Sequence, residues 1–247
     1  MRGVIGGGAS AAMALVLWAG LVRLFDLPRF ILPGPGAVAA ALWRDRLLLA
    51  DHAATTLTEI GAGLVIGTLL GALLALVLAL LPGLARGLHP VLIVSQTVPV
   101  FALAPILTLW LGYGMAAKIV MAVLIIFFPV STGFLHGLRR TEPGWLALAR
   151  VMGGGRWRIL WHLRVPAALP DLAGGLRLAA TYAPIGAVIG EWVGGSRGLG
   201  YLMLMANGRA RTDLLFAALL VLVALTLVLR AAADRLADRL TRHATGS

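Results

Sequence analysis

The residues able to do covalent or acid–base chemistry are sparse in this chain and stand apart from one another. Glu191, in GAVIGEWVGG, is the one carboxylate inside the body of an apolar run. An ionisable group at such depth is costly and is by default a functional candidate, although its place just before GGSRG also allows plain solvation at an interface. GGSRG, Gly194 to Gly198, has the form of the G-x-S-x-G nucleophile elbow, and Asp213, Asp234 and His243 follow in an order that suits a triad. That elbow needs a strand before its serine and a helix after it within a doubly wound sheet, and neither neighbour is expected here. His52, His89, His136 and His162 show no paired metal-ligand spacing. There is no cysteine, which excludes disulfides, thiol nucleophiles and cysteine-held metals. Lys118 is the only lysine and lies in AAKIV, outside any GxxxxGK[ST] context, so the chain has no phosphate-binding loop with which to hydrolyse ATP. No catalytic residue, metal or cofactor is expected.

Chemistry is thin because the chain is mostly hydrocarbon. Of its 247 residues 60% are hydrophobic and 13% charged, with a mean hydropathy of +0.94, whereas soluble domains carry about 25% charge. This composition predicts an all-α membrane protein, one domain over 1–247 with about six spans of roughly 20 apolar residues each. Charged and Pro/Gly breaks set the spans near 4–22, 60–81, 91–113, 119–138, 172–192 and 214–229. The first run follows Arg2 and leads into Arg23 without a convincing cleavage site, so it reads as a retained span rather than a signal peptide. Between it and the second, the stretch from Leu32 to Glu59 is too polar to cross and reads as a surface-lying amphipathic helix. The net charge of +11 is read as topology and not as nucleic-acid binding. Placing both termini in the cytoplasm puts 12 arginines inside against 8 basic residues outside, Lys118 among the latter.

Within the spans, Gly63, Gly67 and Gly71, and again Gly186, Gly190 and Gly194, each line one helix face at four-residue spacing. Close helix packing is the leading reading and a direct ligand role the other. Gln96, Pro99 and Pro105 in the third span, and Tyr182, Pro184 and Glu191 in the fifth, are candidates to line a pathway. Prolines free backbone carbonyls, which membrane proteins tolerate only against protein or a water-filled cavity. An ordinary kink absorbed by packing stays equally open for each proline. Arg177 is expected to snorkel to the headgroups.

One stretch interrupts the oil: ALARVMGGGRWRILWHLRVPAALP, residues 147–170, with four arginines, two tryptophans and three consecutive glycines. Thr141, Glu142 and Pro143 make a helix start, and Gly153 to Gly155 stop that helix. A second short helix is expected from Arg156 to Arg164, ending at Val165 because Pro166 turns the residue before it away from helix. On it Trp157, Leu160 and Trp161 would share one face, and Arg158 and His162 another. The expected product is an amphipathic elbow over 141–166. It could rest on anionic lipid or dock a soluble partner.

At these residues the chain resembles a known family. The pattern A-R-x-M-G-x-x-R-W, the I-L pair after it and PAALP at Pro166 to Pro170 resemble the EAA loop of inner-membrane permease subunits of bacterial ATP-binding cassette importers. The stretch from Pro99 to Arg139 is similar to the branch that imports nitrate, sulfonates, taurine and pyrimidine precursors of thiamine. The resemblance implies the type I permease fold, ATPase subunits and a periplasmic or lipid-anchored solute-binding protein as partners, a second permease copy as a homodimer, and the inner membrane as the location. It implies ATPase coupling through Ala149, Arg150, Met152, Gly153, Gly154, Gly155, Arg156, Trp157 and Leu160. The motif's leading glutamate falls on Ala147, which cannot form the salt bridge a glutamate there would make. The tail from Tyr182 to Leu220 looks most like permeases for hydroxymethylpyrimidine or formylaminopyrimidine. The rival readings are an ion-coupled secondary transporter, which should show several intramembrane acids and inverted repeats, and a membrane enzyme, which needs clustered polar residues at one depth.

Overall fold

A computed structural model describes the backbone of residues 2–245 and their side chains apart from 2–11, 89, 93 and 243–245. The roles considered above for Arg2, His89 and His243 therefore lie outside the described side chains. Every regular element among the described residues is helical, as lipid demands of a chain that must satisfy its own backbone hydrogen bonds. In order they are α1 (Arg2–Leu24), α2 (Pro35–Arg44), α3 (Arg46–Leu80), α4 (Pro82–Thr97), α5 (Val100–Leu111), α6 (Met115–Arg139), α7 (Pro143–Val151), α8 (Arg156–Ile159), a π turn (Leu160–Arg164), α9 (Val165–Gly194), α10 (Leu199–Gly208) and α11 (Thr212–Thr245).

Four helical stretches are long and apolar enough to cross a membrane: α3, α6, α11, and α8 with the π turn and α9 taken as one continuous helix. The pair α4 and α5 makes a fifth if counted together, and residues 12–24 of α1 form a shorter apolar helix. The third apolar run is broken, its two halves meeting at 94°. Pro99 causes this: it pushes Val98 to an extended conformation (φ −75°, ψ 117°) and then caps α5.

The presumed surface helix between the first two runs proves to be two pieces. Pro35 opens α2, Asp45 turns the corner, and Leu47 to Leu49 are already in α3, whose 35 residues extend about 52 Å against a hydrocarbon core of about 30 Å. Arg44 and Arg211 both reach Asp45, and Arg44 also reaches Asp213 at 2.8 Å, fastening this corner to the start of α11.

At the centre α3, α6 and α9 pack together, and the glycine stripes are the reason they can. A Cβ on Gly63 would lie 2.6 Å from the Ala122 Cβ, and one on Gly67 2.7 Å from Ile126; on the other side, one on Gly186 would lie 2.8 Å from the Ala122 Cα. The first stripe and Gly186 and Gly190 of the second thus receive α6, while Gly194 receives Thr108 of α5, which is the packing reading of their spacing.

Two expectations fail here for physical reasons. Pro166 does not end a helix. The turn before it widens to π geometry, with the Val165 N–H bonding to the Leu160 carbonyl, and the chain runs on into α9. A wider turn accommodates a ring that would strike the carbonyl four residues back in a regular helix. Arg177 does not snorkel; it pairs with Asp234 at 3.0 Å and Asp238 at 2.7 Å, joining α9 to α11.

Candidate functional site

Two polar sites stand at opposite ends of the three-helix core. The first surrounds Glu191, near the end of α9. It is fully buried, which overturns the alternative of solvation at an interface. Oε1 accepts from the Thr56 hydroxyl at 2.6 Å, and Oε2 accepts from the backbone N–H groups of Gly200 at 2.5 Å and Tyr201 at 3.4 Å. Those two amides belong to the first turn of α10, whose N–H groups have no partner within the helix, so the carboxylate caps α10 from a neighbouring element. The turn between α9 and α10 is moulded on it. Gly198 has φ +116°, and the Glu191 carboxyl fills the space a side chain there would need.

Glu191 is not the only buried acid, as its sequence setting suggests. Glu59 on α3 is fully buried, and Lys118 on α6 is 4% exposed; Lys118 Nζ lies 2.5 Å from Glu59 Oε1 and donates to the Arg197 carbonyl at 3.2 Å. Lys118 is therefore a core residue and not a loop cation. Thr56 also accepts from the Leu199 N–H at 2.8 Å, and His52 Nδ1 lies 3.0 Å from Gly198 N, its ring stacked on Tyr201. Three helices and one turn are thus clamped by two carboxylates and one ammonium. Glu59 Oε2 is the one buried carboxylate oxygen of the group without a partner. GGSRG serves this clamp: its glycines admit the Glu191 carboxyl, while Ser196 is exposed between two helices and has no strand before it.

The second site is the elbow. Glu142 precedes α7, and after Val151 the chain reverses through Met152 and the three glycines. Gly153 takes φ +78°, which lets its N–H bond to the Arg150 carbonyl and the Gly154 N–H to the Ala149 carbonyl at 2.8 Å. A Cβ on Gly154 would lie 2.6 Å from the Ala149 oxygen, whereas Gly155 has open space around it. Val151 and Met152 are 87% and 76% exposed at the tip, and Arg150, Arg156 and Trp157 also face outward. Leu160 does the opposite. It is buried against Leu78, Phe134, Leu138 and Ala168, so the expected shared face of Trp157, Leu160 and Trp161 is split between surface and core. A groove of about 350 Å³ runs between α7 and α8, lined by Trp145, Leu148, Ala149, Met152, Gly154 and Ile159 among others.

The pathway candidates do not converge on one point. Gln96 and Pro99 are exposed beside the break between α4 and α5, and Pro105 is exposed within α5. Pro184 is buried, while Leu178, Tyr182 and Ile185 form an exposed stripe on one face of α9.

Residues 63–245, which include the elbow, Glu191 and Lys118, the second half of α3 and the other three long helical stretches, match the binding-protein-dependent transport system inner membrane component family. The chain belongs to this family. It is 49% identical to a probable ABC transporter permease protein of Haemophilus influenzae over 91% of this chain and 92% of the relative. It is 40% identical to the riboflavin transport system permease protein RibX of Chloroflexus aurantiacus, covering 93% and 87%, and 35% identical to the formylaminopyrimidine transport permease protein ThiX of Halalkalibacterium halodurans, covering 76% of each. The protein is thus an all-α, multi-pass membrane permease of the ATP-binding cassette importer class. Sequence reasoning missed the burial of both Glu59 and Lys118, and a signal was available for Glu59 alone. The stripe of Gly63, Gly67 and Gly71 continues backwards at helical spacing through Glu59, Thr56 and His52.

Proposed function

We propose that this permease pairs with a second copy of itself to form a pathway for a pyrimidine-bearing heterocycle, and that separate ATPase subunits drive it through the elbow. The observation that carries the docking is the exposure of Val151 and Met152 at the tip of a tight, glycine-shaped reversal. Apolar side chains held outward on a rigid turn fit a socket in a partner better than they fit water. The coupling set of Ala149, Arg150, Met152, Gly153, Gly154, Gly155, Arg156 and Trp157 lies in this reversal, and Leu160 anchors it to the core.

Closure of the ATPases on nucleotide displaces the elbow. Because α8, the π turn and α9 are one continuous helix, the displacement passes directly into α9 and, through its packing, to α6. The exposed stripe at Leu178, Tyr182 and Ile185 supports a role for α9 at the pathway or the second copy. Both termini are cytoplasmic in this reading, and a solute-binding protein delivers substrate on the opposite side.

Formylaminopyrimidine is a pyrimidine, and riboflavin contains a fused pyrimidine ring; relatives named for these two solutes support that substrate class. Two measurements test the proposal. Affinity capture from detergent should bring down a P-loop ATPase, and its absence overturns the docking. Thermal-shift screening of the associated binding protein should respond to formylaminopyrimidine or riboflavin; a response to taurine, an alkanesulfonate or nitrate alone overturns the substrate class.

A further inference from the structure

The elbow end holds a group of arginines, of which Arg86, Arg139 and Arg164 lie outside the proposed coupling set and Arg150 and Arg156 belong to it. Two adjoining cavities of about 620 and 330 Å³ share Ala79, Pro82 and Arg164 in their walls. Arg86 and Arg139 line the first, Arg150 and Arg156 the second. No acidic residue lines either one, and none of the five guanidinium groups has an ion-pair partner among the described residues. Arg164 sits at the junction. It donates to the Ala79 carbonyl at 3.3 Å, and its Nε is buried without a partner. Arg44, Arg177, Arg211 and Arg230 meet carboxylates, whereas exposed arginines such as Arg140, Arg158, Arg197 and Arg209 do not among the described residues, so what sets the five apart is that they share one pair of adjoining cavities around a partly buried guanidinium.

Five like charges converging on a space with no counter-charge call for an anion, and guanidinium groups suit a phosphate oxygen pair in particular. The position selects which anion. The larger cavity opens at the junction of α3 and α4, its wall completed by Leu78, Ala85 and Pro90. The neighbouring Leu81, Leu84, Val91 and Val94 are exposed, as expected of a surface that meets acyl chains. A phosphate with an aliphatic tail satisfies both halves of this surface, and basic pockets between spans on the cytoplasmic side hold lipid headgroups by these means. A concave seam beside apolar spans suits a lipid better than the face of a protein partner.

We propose that the Arg86, Arg139 and Arg164 pocket, extended by Arg150 and Arg156, binds the phosphate headgroup of an anionic phospholipid. The bound headgroup bridges the end of α3, the start of α4, the end of α6 and the elbow. The site rests on the proposed cytoplasmic placement of the elbow and borders the coupling set at Arg150 and Arg156, but its core of Arg86, Arg139 and Arg164 lies outside that set, so its failure leaves the proposed function standing.

Native mass spectrometry of the full chain in uncharged detergent tests it, with phosphatidylglycerol and phosphatidylcholine of matched chains as probes. The wild type should retain phosphatidylglycerol about tenfold or more over phosphatidylcholine. The variant Arg86→Gln/Arg139→Gln/Arg164→Gln should lose that preference, while Arg197→Gln/Arg209→Gln at the other end keeps it. Should the triple variant fail to fold, Arg86→Gln/Arg139→Gln, which changes exposed residues only, should lower retention severalfold. Equal retention of the two lipids, or no loss in that exposed double variant, overturns the proposal. Displacement of phosphatidylglycerol by excess inorganic phosphate identifies a free-anion site and overturns the lipid. Loss of the lipid on addition of the ATPase assigns the pocket to the docking face and overturns it as well.

Discussion

The two ends of the α3, α6 and α9 core handle charge in opposite ways. At one end Glu59, Lys118 and Glu191 are withdrawn from solvent and matched to one another and to the turn at Gly198. At the other, about 30 Å along α3 from Glu59 to Ala79, Arg86, Arg139, Arg150, Arg156 and Arg164 converge without a carboxylate. One end is charge-balanced within a single chain; the other carries an excess of positive charge that the proposed phospholipid headgroup would offset. A transporter needs both, because a lever transmits force only if its far end is fixed to the body it must move. The Glu191 clamp ties α3, α6, α9 and the α10 turn into such a body, and in the proposed mechanism the elbow is the handle.

The largest effect should come from unbalancing the clamp. Lys118→Met leaves two buried carboxylates facing each other without a cation, and breaking a buried pair on one side costs about 3–5 kcal/mol. The midpoint of thermal unfolding in detergent should fall steeply, and Glu59→Gln alone should also lower it. The double variant Glu59→Gln/Lys118→Met removes both charges and should recover much of the loss. Were the double variant as damaged as Lys118→Met, charge balance at this end would not be what holds it together.

Legibility in the sequence follows the same division. The elbow was readable because its signals are local: Pro143 and Glu142 start α7, Gly153 and Gly154 stop it, and each acts within four residues. The glycine stripes were readable because a four-residue period is also local. The clamp was not, since Glu59 and Lys118 each lie one residue outside an apolar run, at Ile60 and Ile119, where a charge looks like an ordinary boundary. Only tertiary structure shows that two such boundaries, 59 positions apart, face each other. Pro166 misled for the reverse reason. A valid local rule was overridden by a π turn that the packing of Leu160 into the core supports.

The middle of the core offers a smaller test of what fixes the body. Gly67→Leu must displace Ile126, whose Cγ2 would lie 2.7 Å from the new Cβ, and overpacking of this kind costs about 1–3 kcal/mol. Gly174→Ala on α9 meets nothing within 4 Å and should be neutral or stabilising by about 0.5–1 kcal/mol, as alanine suits a helix better. Equal unfolding midpoints for these two variants would contradict the packing of α3 on α6.

The elbow should separate stability from transport. Gly153→Val meets no neighbour but must adopt φ +78°, a strain of about 1–3 kcal/mol confined to a surface turn. Uptake in proteoliposomes containing the ATPase should be abolished while membrane insertion is retained. Gly155→Ala, with an extended backbone and open space, should transport normally. Full uptake by Gly153→Val would remove the reversal from the coupling path.

The smallest effect is expected between the two ends, at Arg177. Its partners Asp234 and Asp238 sit on α11, and the side chains are 32%, 42% and 54% exposed, so the charges stay largely screened. Exposed pairs contribute about 0–1 kcal/mol, and Arg230 remains within reach of Asp234 at 3.2 Å to neutralise it when Arg177 is lost. Arg177→Gln should therefore shift the unfolding midpoint by less than any clamp variant. A loss as large as that of Lys118→Met would mean that α9 is held to α11 as firmly as to α3 and α6, and the fixed body would then include a fourth helix.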